Sequence, residues 1–255
     1  MTTALISDIH ANMGALNAVL GDIKSNGITD IICLGDLVGY GPEPAEVVER
    51  AMEWRVVLMG NHDEAVVKFA CGFNPVARAA VQWTREQLEP GFFSGKTKKN
   101  RWTFLSSLPL THTQDGYFFV HGSPRDPTME YIFKTDTIDL TGEIPEKIRD
   151  IMSRFERVCF VGHTHEPGII TDDAIFLTPT EIDHRYTFEE GRKYIVNVGS
   201  VGQPRDGDSK SCYLLLDGNR IEFRRVAYDV NATAEKIFKN THLDRRSGER
   251  LLLGR

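Results

Sequence analysis

The chain has 255 residues, 41% of them apolar, which is enough for a substantial buried core in one large domain or two small ones. A formal charge of −6 and a pI near 5.8 disfavour broad binding to extended nucleic acid, which relies on a basic surface. No stretch approaches the roughly 20 apolar residues of a membrane helix, and the first residues lack the basic-then-apolar layout of a secretory signal, so the expectation is a soluble, cytoplasmic protein with no membrane partner.

In chain order, Thr3–Ser7 is a short β-prone run. Gly14–Asn26 then carries Leu16, Val19, Leu20 and Ile23 at helical spacing and stops at Gly27. Asp30–Leu34 predicts a second strand, Pro44–Glu53 a helix and Arg55–Met59 a third strand, a βαβαβ order that implies a parallel sheet covered by helices. Residues 64–107 form a mainly helical insertion, with Pro75 opening a helix that runs to Leu88. Beyond it, Tyr117–Val120, Val158–Val161, Tyr194–Val198, Cys212–Leu216 and Ile221–Val226 are short strands. Asp217-Gly218 predicts a hairpin turn between the last two. The order suits an α/β (α+β) fold, a four-layer αββα sandwich of two mixed sheets flanked by helices. The expectation is one domain over 1–255 with a helical cap insertion at about 64–107. Four cysteines, Cys33, Cys71, Cys159 and Cys212, lack close pairing and predict buried free thiols.

Five clusters stand out: Asp8-Ile9-His10, Gly35-Asp36, Gly60-Asn61-His62-Asp63, His121-Gly122 and Gly162-His163-Thr164-His165. They hold five of the eight histidines, and each follows a predicted strand. The carboxyl ends of strands are where such sheets bind ligands, so the clusters are expected to converge on one crevice. Carboxylate, imidazole and amide donors without a thiolate suit Mn²⁺, Fe, Zn²⁺, Co²⁺ or Ni²⁺ better than a structural zinc site, and do not point to Ca²⁺. Asp8 and His10 are two apart, so on an extended strand end both side chains point the same way; His163 and His165 repeat the spacing. The glycines before Asp36, Asn61 and His163 leave room beside such a centre.

The series D-x-H, G-D, G-N-H-D, H-G, G-H-T-H from Asp8 to His165 resembles the calcineurin-like metallophosphoesterases. The stretches Cys33 to Pro42, Val120 to Pro124 and Asn197 to Gly207 look like the bacterial and archaeal branch related to symmetrical diadenosine tetraphosphatases and serine/threonine protein phosphatases. The resemblance implies one metal site from Asp8, His10 and His165, another from Asn61, His121 and His163, and Asp36 bridging two divalent ions. It implies a binuclear phosphohydrolase cleaving a phosphodiester or phosphomonoester by metal-activated hydroxide. His62 would act as general acid or transition-state donor, and Asp63 would orient its imidazole.

Arg205 and Arg125, in loops near these motifs, are candidates to clamp a phosphate oxygen, and Tyr40 to flank the site. The Gly-rich run 199–207 suits either an anion nest or a tight turn. His112, His184 and His242 belong to no cluster and read as surface or packing residues. Ala11 departs from the glycine usual in relatives. The partners implied are a phosphate-ester small molecule and, with the question left open, a second copy of the chain. Alternative readings are a dinucleoside polyphosphate hydrolase, a protein phosphatase or a non-catalytic metal-binding scaffold.

Overall fold

The computed structural model describes residues 2–70, 72–138 and 142–255. Two six-stranded sheets face one another across an apolar core. In the first sheet, β1 (Thr3–Ile6), β2 (Asp30–Cys33) and β3 (Val56–Val57) run parallel. On its other side β1 pairs antiparallel with β11 (Ser211–Asp217), followed by β12 (Arg220–Val226) and β9 (Arg185–Thr187). The second sheet runs β4 (Thr111–Gln114), β5 (Tyr117–Val120), β6 (Val158–Val161), β10 (Tyr194–Asn197), β7 (Gly168–Thr171), β8 (Phe176–Leu177), with β5, β6 and β10 parallel.

Each sheet is covered on both faces, which is why β1, β6 and β10 are mostly apolar and buried throughout. Leu5, Ile32 and Leu214 of one sheet meet Phe119, Phe160 and Tyr194 of the other, with the Phe119 and Phe160 rings stacked at 5.3 Å. On the outer face of the first sheet lie α1 (Met13–Ser25), α2 (Pro44–Ala51) and α3 (Asn61–Val67). Asn12 caps α1 by accepting from the Ala15 N–H at 3.0 Å; Leu16, Val19 and Ile23 then point inward, and Gly27 leaves the helix at φ +71°. On the second sheet, α6 (Glu146–Ser153) buries Ile148, Ile151 and Met152. The four-layer arrangement is the expected one.

Several elements differ in extent from the sequence expectation. The third strand is only Val56–Val57; Leu58 N still donates to Cys33 O of β2 at 2.9 Å, but Met59 N turns to Pro109 O at 2.9 Å. The hairpin forms, but its turn residues are Gly218 and Asn219, since Asp217 still pairs with Arg220. The 64–107 stretch is helical as expected: α4 (Pro75–Leu88) and α5 (Lys96–Ser106) follow α3. These helices pack beside α2 and α3 and extend the layer on the first sheet. Phe73, in the α3–α4 connection, reaches the crevice, 4.9 Å from His62. Two further helices, α7 (Val230–Lys239) and α8 (Arg245–Leu253), pack on each other and, through α7, on α1. Cys33, Cys159 and Cys212 are buried free thiols; Cys71 lies outside the described residues. Among the described residues, no helix is long and apolar enough to cross a membrane.

Candidate metal centre

The parallel strands β1, β2 and β3 of one sheet and β5 and β6 of the other end at a common edge, and the five clusters follow them there. Asp8, His10, Asp36, His121, His163 and His165 are at most 3% exposed, and Asn61 is 6% exposed. Side chains two apart do not meet through strand alternation, contrary to the spacing argument. Asp8 and His10 lie beyond β1 with φ of +54° and +48°, and His163 and His165 lie beyond β6 with φ of +67° and +63°. Asp36 adopts φ +53°. Five candidate ligands thus occupy the left-handed region, at a cost of roughly 1–3 kcal/mol each, which the surrounding structure must hold in place.

The restraint is visible. Ser200 Oγ donates to Asp8 O at 2.8 Å, Gly202 N to the same oxygen at 2.9 Å, and His10 N to Asp36 O at 3.0 Å. Asn197 Nδ2 ties Gly162 O (2.6 Å) and Thr164 Oγ1 (2.8 Å), fixing the loop of His163 and His165. The 199–207 run is a structural turn here: Gly199 takes φ +80°, and a Cβ on Gly202 would come within 1.7 Å of Ile9 O.

Asp8, His10, Asp36 and His165 offer ligand atoms within 4.8 Å of one another, as do Asp36, His121 and His163. Asn61 Oδ1 lies 3.1 Å from His121 Nε2. Asp36 belongs to both groups, with Oδ2 at 3.6 Å from His10 Nε2 and 3.5 Å from His121 Nε2. Each histidine uses its other nitrogen on a main-chain carbonyl: His10 on Val38, His121 on Leu34, His163 on Met129 and His165 on Gln203. A carbonyl only accepts, so those nitrogens carry the protons and the inward ones present lone pairs. Yet His10 Nε2 and His165 Nε2 are 3.1 Å apart, as are His121 Nε2 and His163 Nδ1. Two lone pairs at that separation repel unless a cation lies between them.

Protons do not fill that role readily. Burial is the largest influence on all four imidazoles and favours the neutral form, taking His121 to about 4 and His163 to about 2, with His10 and His165 also lowered. Burial alone would raise the Asp8 carboxyl, but His165, His121 and His10 outweigh it and hold it below the usual range. Asp36 is pushed well up by burial and by the carboxylates of Asp63 and Asp8. The donor set therefore fits divalent metal ions.

Around this cluster, Tyr40 stands 4.6 Å from the His62 ring and 4.9 Å from His10, and is buried. His62 belongs to neither ligand group, and its Nδ1 is buried without a partner. Burial and then the Arg205 charge lower its pKa well below the usual histidine value. Asp63 does not orient this imidazole, contrary to expectation. Its carboxylate accepts from Gly60 N (3.0 Å) and Val38 N (3.2 Å), latching the start of α3 to the loop after Asp36. Burial raises it to about 7 against those N–H donors. Arg205 acts on His62, His10 and His165 through its charge, whereas Arg125 is committed to Glu130 and Asp150. Tyr131 went unnoticed in the sequence; its ring stacks on His163 at 3.7 Å. Its position in a turn-rich loop, outside any motif, offered no signal. A cavity of about 820 Å³ lies elsewhere, between the 179–185 loop and β12, and its arginines Arg185, Arg224 and Arg225 are paired with acidic neighbours.

A model of the calcineurin-like phosphoesterase superfamily domain matches residues 1–220. The chain belongs to that superfamily. It is 38% identical over 262 residues to the uncharacterized protein MJ0912 of Methanocaldococcus jannaschii, a match covering 99% of this chain and 98% of the relative. A metallophosphoesterase from Sphaerobacter thermophilus superposes with a TM-score of 0.81 at 35% identity, covering 100% of this chain and 99% of that one. The symmetrical bis(5'-nucleosyl)-tetraphosphatase of Vibrio campbellii is 28% identical over 125 residues, 48% of this chain and 44% of its own length. Membership makes the chain a phosphoesterase, a hydrolase of phosphate esters, and explains why the Asp and His clusters converge.

Proposed function

We propose that this phosphoesterase is a two-metal hydrolase of a phosphodiester or phosphomonoester. The observation that carries the reading is the position of Asp36, whose Oδ2 is shared almost equally between His10 and His121. Asp8, His10, Asp36 and His165 would hold one ion, and Asp36, Asn61, His121 and His163 the other. When bound, two such ions, from the set Mn²⁺, Fe, Zn²⁺, Co²⁺ or Ni²⁺, would lower the pKa of a water enough to make hydroxide available near neutral pH and would offset the charge of phosphoryl oxygens.

The chain's own residues do the rest. Arg205 grips a phosphoryl oxygen, while Arg125, held by Glu130 and Asp150, stays outside the reaction. Tyr40 packs against His62 and limits its rotation. His62 is neutral before substrate arrives; the phosphate anion supplies the counter-charge that favours protonation, and the imidazole then donates to the leaving oxygen. Asp63 acts by holding the His62 helix start against the Asp36 loop.

A dinucleoside polyphosphate substrate is the second reading, favoured by the partial match to the tetraphosphatase. The scaffold reading is disfavoured because every candidate ligand is present and drawn together. The test is hydrolysis of bis-p-nitrophenyl phosphate and p-nitrophenyl phosphate by metal-stripped protein reloaded with Mn²⁺, beside Asp36→Asn. Activity restored by metal and lost in the variant supports the reading; silence of folded protein with two bound ions overturns it in favour of a scaffold.

A further inference from the structure

Two aromatic side chains extend the wall of the metal centre outward. The Tyr131 ring stacks on the His163 ring with centroids 3.7 Å apart and planes inclined by 20°. Phe133 stacks on Tyr131 at 5.1 Å with the planes only 6° apart. His163 Nδ1 is turned to His121 Nε2 at 3.1 Å, so this run of rings starts at a candidate ligand. It ends in the open: Tyr131 is 37% exposed and Phe133 44%.

Core packing does not account for the pair. Ile132, between them, is buried and shares an apolar cluster with Ile148, Ile151 and Met152. With Ile132 turned inward and Phe133 in extended backbone, Tyr131 and Phe133 fall on the same outward face. Neither ring belongs to any of the four apolar clusters of the described residues, whereas Phe73, beside His62, packs against the cluster on the first sheet. The segment is nonetheless held firmly. Lys147 Nζ donates to Tyr131 O at 2.7 Å and to Asp136 Oδ2 at 2.6 Å, and Phe133 N donates to the same carboxylate oxygen at 2.8 Å. Two flat apolar faces kept in water beside a polar site, on fixed backbone, are suited to a planar ligand group, because the cost of ordering them is met before binding.

We propose that Tyr131 and Phe133 form a stacking shelf for a nucleobase, so that the phosphate ester hydrolysed here is a nucleotide and Phe133 determines that specificity. Near-parallel rings select a planar group over a bare sugar or an aliphatic chain. Every base has a π-face, so the shelf distinguishes nucleotides from other phosphate esters without choosing among bases. The proposal rests on the two-metal reading for the place of the phosphoryl group, from which the rings lead away through His163.

The experiment compares AMP, ribose 5-phosphate and orthophosphate by thermal-shift titration of the Mn²⁺-loaded protein at fixed free Mn²⁺, in the wild type, Phe133→Ala, Phe133→Leu and Phe133→Trp. AMP is expected to bind the wild type roughly tenfold or more tighter than ribose 5-phosphate. Phe133→Trp should keep that preference, while Phe133→Ala and Phe133→Leu should erase it, since leucine supplies apolar bulk without a flat face. No preference in the wild type overturns the proposal, as does one that persists in Phe133→Ala or Phe133→Leu. Equal weakening of AMP and ribose 5-phosphate in these variants also overturns it, by making Phe133 a support of the phosphate site. Orthophosphate separates the two levels: its binding without a base preference removes the shelf alone, whereas no binding by any of the three removes the two-metal reading together with the shelf.

Discussion

His10 and His165 face each other with their Nε2 atoms 3.1 Å apart, while the opposite nitrogen of each ring is committed to a carbonyl. Neutral imidazoles in that arrangement repel, so metal binding should stabilise the fold as well as enable chemistry. Stripping with a chelator is expected to lower Tm by several degrees, with recovery on adding Mn²⁺ or Zn²⁺. Calorimetry of stripped and reloaded protein checks this, and an unchanged Tm would sink the argument.

His62 lies against His10 and Tyr40 but outside both ligand groups. His62→Ala should therefore keep its bound metal while kcat falls about 10²–10⁴-fold, the usual contribution of a proton donor. Metal analysis beside steady-state kinetics separates the two effects. A variant that loses metal as well would place His62 among the ligands.

Gly60 is required for space. A Cβ there would sit 2.1 Å from Asp36 Oδ1 and 2.2 Å from the Asp36 main-chain nitrogen, which cannot yield. Gly60→Ala should cost about 1–3 kcal/mol through overpacking and weaken metal binding by moving Asp36. Gly21, in the middle of α1 with nothing within 4 Å, is the control. Gly21→Ala should stabilise by roughly 0.5–1 kcal/mol. Denaturant titration of both variants decides the matter, and equal responses would refute the steric account.

Asp22 joins α1 to the first sheet by accepting from Tyr213 Oη (2.6 Å) and from the Arg224 guanidinium. Burial would raise its pKa, but the Arg224 and Tyr213 bonds more than offset this and lower it. A carboxyl with a depressed folded pKa stabilises above its unfolded value and loses that contribution as pH falls through the folded one. Asp22→Asn should cost about 1 kcal/mol at pH 7, because the pair is partly solvated. The difference from wild type should shrink on acidification below the ordinary carboxyl pKa of about 3.9. Urea melts at pH 7 and pH 3 measure it; a cost independent of pH would contradict the linkage.

Much of this was legible because local residue types carry the chemistry. The largely apolar runs at Thr3–Ile6 and Val158–Val161 declare buried strands, and the Asp and His that follow them mark candidate metal ligands. The α1 boundaries follow from apolar spacing and Gly27. By contrast, Asp63 next to His62 suggested an orienting pair, and the helix start at Asn61 turned its carboxylate to main-chain N–H groups instead.

The sequence by itself determined the donor set, the order of strands that carries it and the two-sheet architecture, since these depend on residue identity and hydrophobic period. Only the tertiary structure decided how the donors meet. Asp8, His10, Asp36, His163 and His165 sit in left-handed turns held by distant partners such as Ser200, Gln203 and Asn197. It also decided that Tyr131 stacks on His163, because a ring contact between two separate loops leaves no mark on local pattern.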